Sequence, residues 1–261
     1  MEITRHTILR EIAAELEPAE FILALWLEGS DGTCSVDAYS DIDLVCYTKE
    51  GCTGKAIERL DACMRRIGTL DIEYEQTGRP DHNRYKVYHV RETPEHLLVD
   101  ATIQSEPFPV SFVREDRTVV PVVLFDKASI VQYRHSDPAS HASALRTQLT
   151  EALGVYSQRS RAVKYTHRGL FLEAFIYYQK YVLSPLVDVL RIVHTPFQAD
   201  CFLVHASRDF PAEVTKALEY LYGVRTTKDI AERIGKADEL FGRSVAEAER
   251  MLASMEGSRD T

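Results

Sequence analysis

Leu25-Trp26-Leu27-Glu28-Gly29-Ser30, followed after ten residues by Asp41-Ile42-Asp43-Leu44, is the stretch on which the fold and the chemistry turn. Phe21 to Leu27 is a short apolar run that reads as a buried strand, and Ile42 to Tyr47 reads as a second. A helix starting at Gly29-Ser30 offers unpaired backbone N–H groups and a hydroxyl to an anion. Glycine there lets the backbone approach a phosphate that any side chain would obstruct. On the next strand, Asp41 and Asp43 stand two residues apart and project from the same face. Carboxylates so placed repel each other and call for a hard divalent cation such as Mg²⁺, particularly where substrate phosphates complete its shell. Metals held about 3.5–4 Å apart by shared carboxylates stabilise both the attacking and the leaving oxygen of an in-line phosphoryl displacement. Glu28 is the discordant residue. Alternation puts it beside Trp26 without telling which face that is, and a carboxylate facing phosphates would be unfavourable.

Outward from this core, residues 1 to about 133 alternate between helix and strand signals. Ile8, Ile12 and Leu16 recur at helical spacing and Pro18 closes the segment, while Ile57, Leu60, Met64 and Ile67 mark a second helix ending at Gly68. Leu70, Ile72 and Tyr74 alternate with Asp71, Glu73 and Glu75, and the latter face reads as solvated. Further strands are expected at Tyr85–Val90, His96–Gln104 and Val119–Phe125. Strands both adjacent and separated by a helix predict a mixed sheet with helices packed on it. From about 134 the strand signals stop. Leu145, Leu149, Leu153 and Tyr156 form one helical stripe, and residues 168 to 193 are apolar on most faces, with Pro185 kinking or dividing that helix. Thr195-Pro196 and Asp209-Phe210-Pro211 read as helix starts, Gly223 as a stop, Thr226 to Asp229 as a capping box, and the GSRDT tail as frayed. The expectation is therefore an α+β chain, with a catalytic domain at 1–133 and an all-helical domain at 134–261.

Composition narrows the function. The 261 residues carry 31 Lys and Arg against 40 Asp and Glu, a net charge of −9. That balance argues against a long nucleic-acid backbone as the main ligand, because affinity there comes from clustered cations. No apolar run reaches the roughly 18–20 residues that span a bilayer, and the N-terminus lacks the apolar core of a signal peptide. A cytoplasmic protein without a membrane partner is expected. Five cysteines without a CxxC pair support neither a disulfide framework nor a zinc site. Gly51-Cys52-Thr53-Gly54-Lys55 hints at a P-loop, but its glycines are too close together and Ala56 follows the lysine, so it reads as a helix-start loop.

In Leu27-Gly29-Ser30 and Asp41-Asp43 the sequence resembles the DNA polymerase β-type nucleotidyltransferase superfamily, marked by hydrophobic-Gly-Ser, about ten residues, then Asp-x-Asp between apolar residues. The resemblance implies a third metal-binding acid on a later strand. Asp100, an acid embedded in Leu97–Ile103, looks like that residue, since a lone buried carboxylate is costly without a partner or metal. Glu73 is its competitor. A catalytic domain followed by a helical one, with Tyr177 to Val187, Leu190-Arg191 and Thr195-Pro196 in the latter, is similar to bacterial aminoglycoside and lincosamide nucleotidyltransferases, which implies a role in antibiotic resistance.

The resemblance implies Mg²⁺-dependent transfer of AMP from ATP, or of another nucleoside monophosphate, to a hydroxyl of a small acceptor. Asp41, Asp43 and Asp100 are the expected metal ligands, and Gly29 and Ser30 the groups that hold the β- and γ-phosphates. An alcohol needs help to ionise, so Asp100 through its metal, or Glu173 from the helical domain, is the expected base. The acceptor is expected between the two halves. Two rivals stand beside this: a related enzyme acting on a protein or RNA, and a nucleotide- or partner-binding module without catalysis. Phe171, Phe175, Tyr177, Tyr178 and Tyr181 read as core, and Lys180 and Arg191 as solvated or paired.

Overall fold

The computed structural model describes residues 2–105 and 109–257, and the expected frayed tail falls mostly outside them. The chain forms two compact units, Met1–Ser136 and Asp137–Thr261. It is an α+β protein, with a mixed sheet and helices in the first unit and helices alone in the second.

In the first unit, Thr4 caps helix α1 (Arg5–Leu16) through a reciprocal pair of hydrogen bonds with Thr7. Strand β1 (Ile22–Leu27), the single turn α2 (Gly29–Gly32), β2 (Ile42–Thr48), α3 (Thr53–Ile67), β3 (Leu70–Glu75), β4 (Asn83–Val90), β5 (Val99–Gln104), β6 (Val110–Val113), β7 (Val122–Asp126) and β8 (Val131–Arg134) follow. Six strands form one sheet in the order β3-β4-β5-β2-β1-β7, in which β2 and β5 run parallel and the other pairs antiparallel. Strand alternation then sorts the two faces. Leu25, Leu27, Ile42, Leu44, Cys46, Val99, Ala101 and Ile103 bury themselves with Ile8, Ile12 and Leu16 of α1 and Ile57, Leu60 and Met64 of α3. Ala24, Trp26, Val45 and Tyr47 belong to a second cluster with Phe112 of β6 and Ile130. Asp43 and Asp100 fall in the same alternation as that second cluster, away from the helices.

Several local expectations need correction. The helix expected at Gly29-Ser30 is only the four-residue α2. The strand expected from Val119 begins at Val122, after Pro121, which has no N–H to give a ladder. Strands β6 and β8, four residues each and paired in parallel, gave too short a pattern to anticipate. The acidic face of β3 is exposed at Asp71 and Glu73 as expected, but its acids are paired, Glu73 with Arg65 and Lys86, Glu75 with Arg84 and Asp71 with His89, and Ile72 and Tyr74 are exposed as well.

In the second unit, Asp137 accepts from the Ala139 and Ser140 amides and starts α4 (Pro138–Tyr156). Its buried stripe is Leu145, Leu149, Ala152 and Tyr156, with Leu153 largely exposed rather than in the core. The apolar stretch does not form one helix. α5 (Ser160–His167) ends before Gly169, at φ +69°, and α6 (Phe171–Tyr178) passes through a π-helical turn (Gln179–Leu183) into α7 (Ser184–His194). Pro185 sits in the first turn of α7, directly after the π-helical turn, so the residue that lacks an N–H falls where the regular hydrogen-bond ladder is already interrupted. Thr195-Pro196 starts only a short 3₁₀ turn, Pro196–Gln198, before α8 (Ala206–Asp209), α9 (Ala212–Tyr222) and α10 (Thr227–Gly257). Thr226 and Asp229 exchange the capping-box bonds expected of them. Helix α7 packs against α4 and α10, and Leu186, Val187, Val189, Leu190 and Ile192 form the centre of the core.

Candidate functional site

The parallel pairing of β2 with β5 sets Asp43 directly opposite Asp100. Asp41, just before β2, joins them: one carboxylate oxygen from each of Asp41, Asp43 and Asp100 lies within 4.8 Å of the others. Among the described residues this is the one such group of His, Cys, Asp or Glu side chains. The other candidate for the third acid, Glu73, is on the edge strand β3 and bound to Arg65 and Lys86.

Charge is concentrated here at a cost. Burial, then Asp41, Asp100, Glu28 and Asp31 in that order, push the Asp43 carboxyl up to about 6 from an ordinary 3.8. Burial also raises Asp100, partly opposed by Tyr85, whose hydroxyl donates to Asp100 Oδ1 at 2.7 Å. Tyr85 itself is raised, first by burial and then by that bond. Like charges gathered in a half-buried place favour protonation unless a cation neutralises them.

Gly29 closes the site from the β1 side. Its φ is +59°, and a Cβ there would lie 2.0 Å from Asp43 Oδ2, so both backbone conformation and space demand glycine. The Glu28 amide donates to the Asp43 carbonyl at 3.0 Å, fixing the β1 end against β2. Next to Gly29, Ser30 Oγ is buried without a hydrogen-bond partner. Since α2 is one turn long, its dipole adds little, and the hydroxyl and the bare glycine backbone carry any anion contact. The Glu28 carboxylate accepts from Trp26 Nε1 at 2.8 Å and, with Gly29, Asp43, Tyr85, Asp100 and Thr102, lines a hollow of about 310 Å³. It therefore lies on the acidic face, held by the indole.

Two residues of the site escaped the sequence reading. Tyr85 gives no motif signal, being an aromatic in an ordinary strand. Arg5, at the start of α1, forms an ion pair with Asp31 and donates to the Asp41 carbonyl at 3.2 Å. Glu173 belongs to the second unit, exposed in the first turn of α6.

Three hard oxygen donors converging from β2 and β5 suit Mg²⁺ or a similar ion. The crowding of like charge around Asp43 and the unpartnered Ser30 hydroxyl beside it are what a site for cations and phosphates requires. No family model matches the chain, and no curated protein does. Among solved structures it is similar to the crystal structure of an aminoglycoside 6-adenyltransferase from Bacillus subtilis, at 13% identity over 98% of this chain and 97% of that one, with a TM-score of 0.38. Among the described residues no helix is long and apolar enough to cross a membrane.

Proposed function

We propose that the protein is a metal-dependent nucleotidyltransferase that moves AMP from ATP to a hydroxyl of a small acceptor, an aminoglycoside or lincosamide type of polyol, and releases pyrophosphate. The observation that carries the reading is the convergence of the Asp41, Asp43 and Asp100 carboxylates within 4.8 Å, beside a glycine that leaves the backbone bare. In the reaction the acceptor oxygen bonds to the α-phosphorus as the α–β phosphoanhydride bond breaks. Divalent ions bound by the three aspartates would supply compensation for the charge on the attacking and leaving oxygens.

The chain's own groups do the rest. Asp41 and Asp43 hold the cation side of the site, and Asp100, fixed by the Tyr85 hydroxyl, presents its free oxygen from the neighbouring strand. Ser30 Oγ donates to a phosphate oxygen, and Gly29 allows that phosphate to lie against the backbone. The Asp100 carboxylate, already in the site, takes the acceptor's proton. The test is a pyrophosphate-release screen of the four nucleoside triphosphates against aminoglycosides, lincosamides and other polyols. Release that vanishes in Asp41→Asn and Asp43→Asn is the expected result. Mg²⁺-ATP binding without release for any acceptor would reduce the protein to a binding module, and release with a protein or RNA alone would change the acceptor class.

A further inference from the structure

Arg5 joins two parts of the site that no strand connects. Its backbone position is set by α1, which Thr4 caps and which Ile8, Ile12 and Leu16 bury against the sheet. From there Nη2 reaches both Asp31 Oδ2 and, at 3.2 Å, the Asp41 carbonyl oxygen. Asp31 follows Ser30 in α2, and Asp41 carries one of the three converging carboxylates. The ion pair is largely shielded, with 20% of the Arg5 and 13% of the Asp31 side chain exposed.

Two consequences follow from the chemistry of the fork. A bare carboxylate at Asp31, next to the Ser30 hydroxyl, would repel a triphosphate, and the guanidinium removes that repulsion. The second bond fixes the backbone from which the Asp41 side chain projects. Both bonds leave one nitrogen, Nη2, whose two N–H groups are fixed in the guanidinium plane, whereas an ammonium's donors rotate at the end of a flexible stem. Arg5 Nε is buried with no partner, so the side chain gives up a donor to hold this geometry.

We infer that Arg5 is a positioning residue of the site: it neutralises Asp31 beside Ser30 and holds the Asp41 backbone, coupling the phosphate side to the metal side. This rests on the nucleotidyltransferase reading. The experiment is calorimetric binding of a nonhydrolysable ATP analogue with Mg²⁺, which needs no acceptor, together with thermal melts for folding. Arg5→Met is expected to weaken binding by about tenfold, the low end of the loss seen when a residue supporting metal ligands is removed. Asp31→Asn added to Arg5→Met should recover most of that affinity, because the uncompensated charge is gone, while the Mg²⁺ concentration needed for half-saturation stays raised. Arg5→Lys keeps charge and helix, and serves if the methionine variant does not fold. It should hold nucleotide affinity within a few-fold and still raise the Mg²⁺ requirement.

In a merely structural pair, removing the charge of Asp31 would restore the melting temperature, and the Mg²⁺ requirement would not stay raised. If Arg5→Met binds as the wild type does, or if Arg5→Lys needs no more Mg²⁺ than the wild type where the methionine variant does not fold, the inference is overturned. A double variant as weak as Arg5→Met overturns it too. If the wild-type protein itself binds no Mg²⁺ and nucleotide, the nucleotidyltransferase reading fails and takes the inference with it, a result distinct from a failure confined to the variants.

Discussion

The Tyr85 hydroxyl donates to Asp100 Oδ1 at 2.7 Å, from a strand hydrogen-bonded to the one that carries Asp100. The bond occupies one oxygen of that carboxylate and stabilises its ionised form against the burial that raises its pKa. Asp100 is thus aimed as well as charged.

Tyr85→Phe keeps the ring and removes the donor. Outer partners of ligating carboxylates typically matter by about 10–100-fold in metal affinity or activity, so the Mg²⁺ concentration for half-maximal turnover should rise by about tenfold or more. Stability should fall by only about 1 kcal/mol, the net worth of one hydrogen bond. A Mg²⁺ titration of the variant that overlays the wild type would remove Tyr85 from the site.

Asp43 yields a prediction about pH. Its carboxyl is raised to about 6 from 3.8, so in the metal-free protein the folded state holds that proton more tightly than the unfolded chain. Stability from this group is then complete below about pH 4 and is lost as pH rises to about 6. Metal-free Asp43→Asn should melt higher than the wild type at pH 7 and no higher at pH 4, while its turnover falls by orders of magnitude. Saturating Mg²⁺ should raise the wild-type melting temperature and leave that of the variant nearly unmoved. Melts at pH 4, 5, 6 and 7 with and without Mg²⁺ decide it. Equal melting temperatures throughout would mean that the three charges do not strain the fold.

How much of this was legible follows from the range of each interaction. Asp41 and Asp43 announce themselves because strand period two is local, and Asp100 stands out as an acid between Val99 and Ala101 in an apolar strand. Their convergence depends on parallel pairing of β2 with β5 across half a domain, which no local pattern encodes. Arg5 lies 36 residues from Asp41 and Tyr85 15 residues from Asp100, and neither residue type is unusual in its own element. The face of Glu28 stayed open for a similar reason: the indole N–H that holds it is visible only once the side chains of β1 are placed. In the second unit, hydrophobic period marked α4 and the stretch that becomes α6 and α7 but not the short α5, and Pro185 announced an interruption without telling that it would be a π-helical turn.

Gly29→Ala tests the closeness of backbone and carboxylate. At φ +59° an alanine costs about 1–2 kcal/mol in backbone strain alone, and its Cβ would meet Asp43 Oδ2 at 2.0 Å. The Asp43 side chain or the β1 end must move. Denaturant unfolding should show at least that loss of stability, and calorimetry a loss of Mg²⁺-nucleotide binding larger than Ser30→Ala produces. An alanine variant with full binding would show that the glycine serves only the turn.

Arg191 is the last case, and it concerns the second unit alone. It is wholly buried in α7, where Nε donates to the Phe202 carbonyl at 2.7 Å, Nη2 to the Val204 carbonyl, and Nη1 to Thr195 Oγ1 at 3.1 Å and Asp209 Oδ2 at 3.2 Å. One guanidinium therefore fastens the irregular segment between α7 and α9, in which Phe202 and His205 both take positive φ. Removing one member of a buried ion pair costs about 3–5 kcal/mol, because the partner stays behind unpaired, and here two carbonyls are stranded as well. Arg191→Met should lose at least that much in urea unfolding. Asp209→Asn should lose less, since an amide oxygen can still accept from Nη1 and the guanidinium keeps both carbonyls. If the two variants fall by the same amount, the ion pair rather than the carbonyl contacts holds the segment in place.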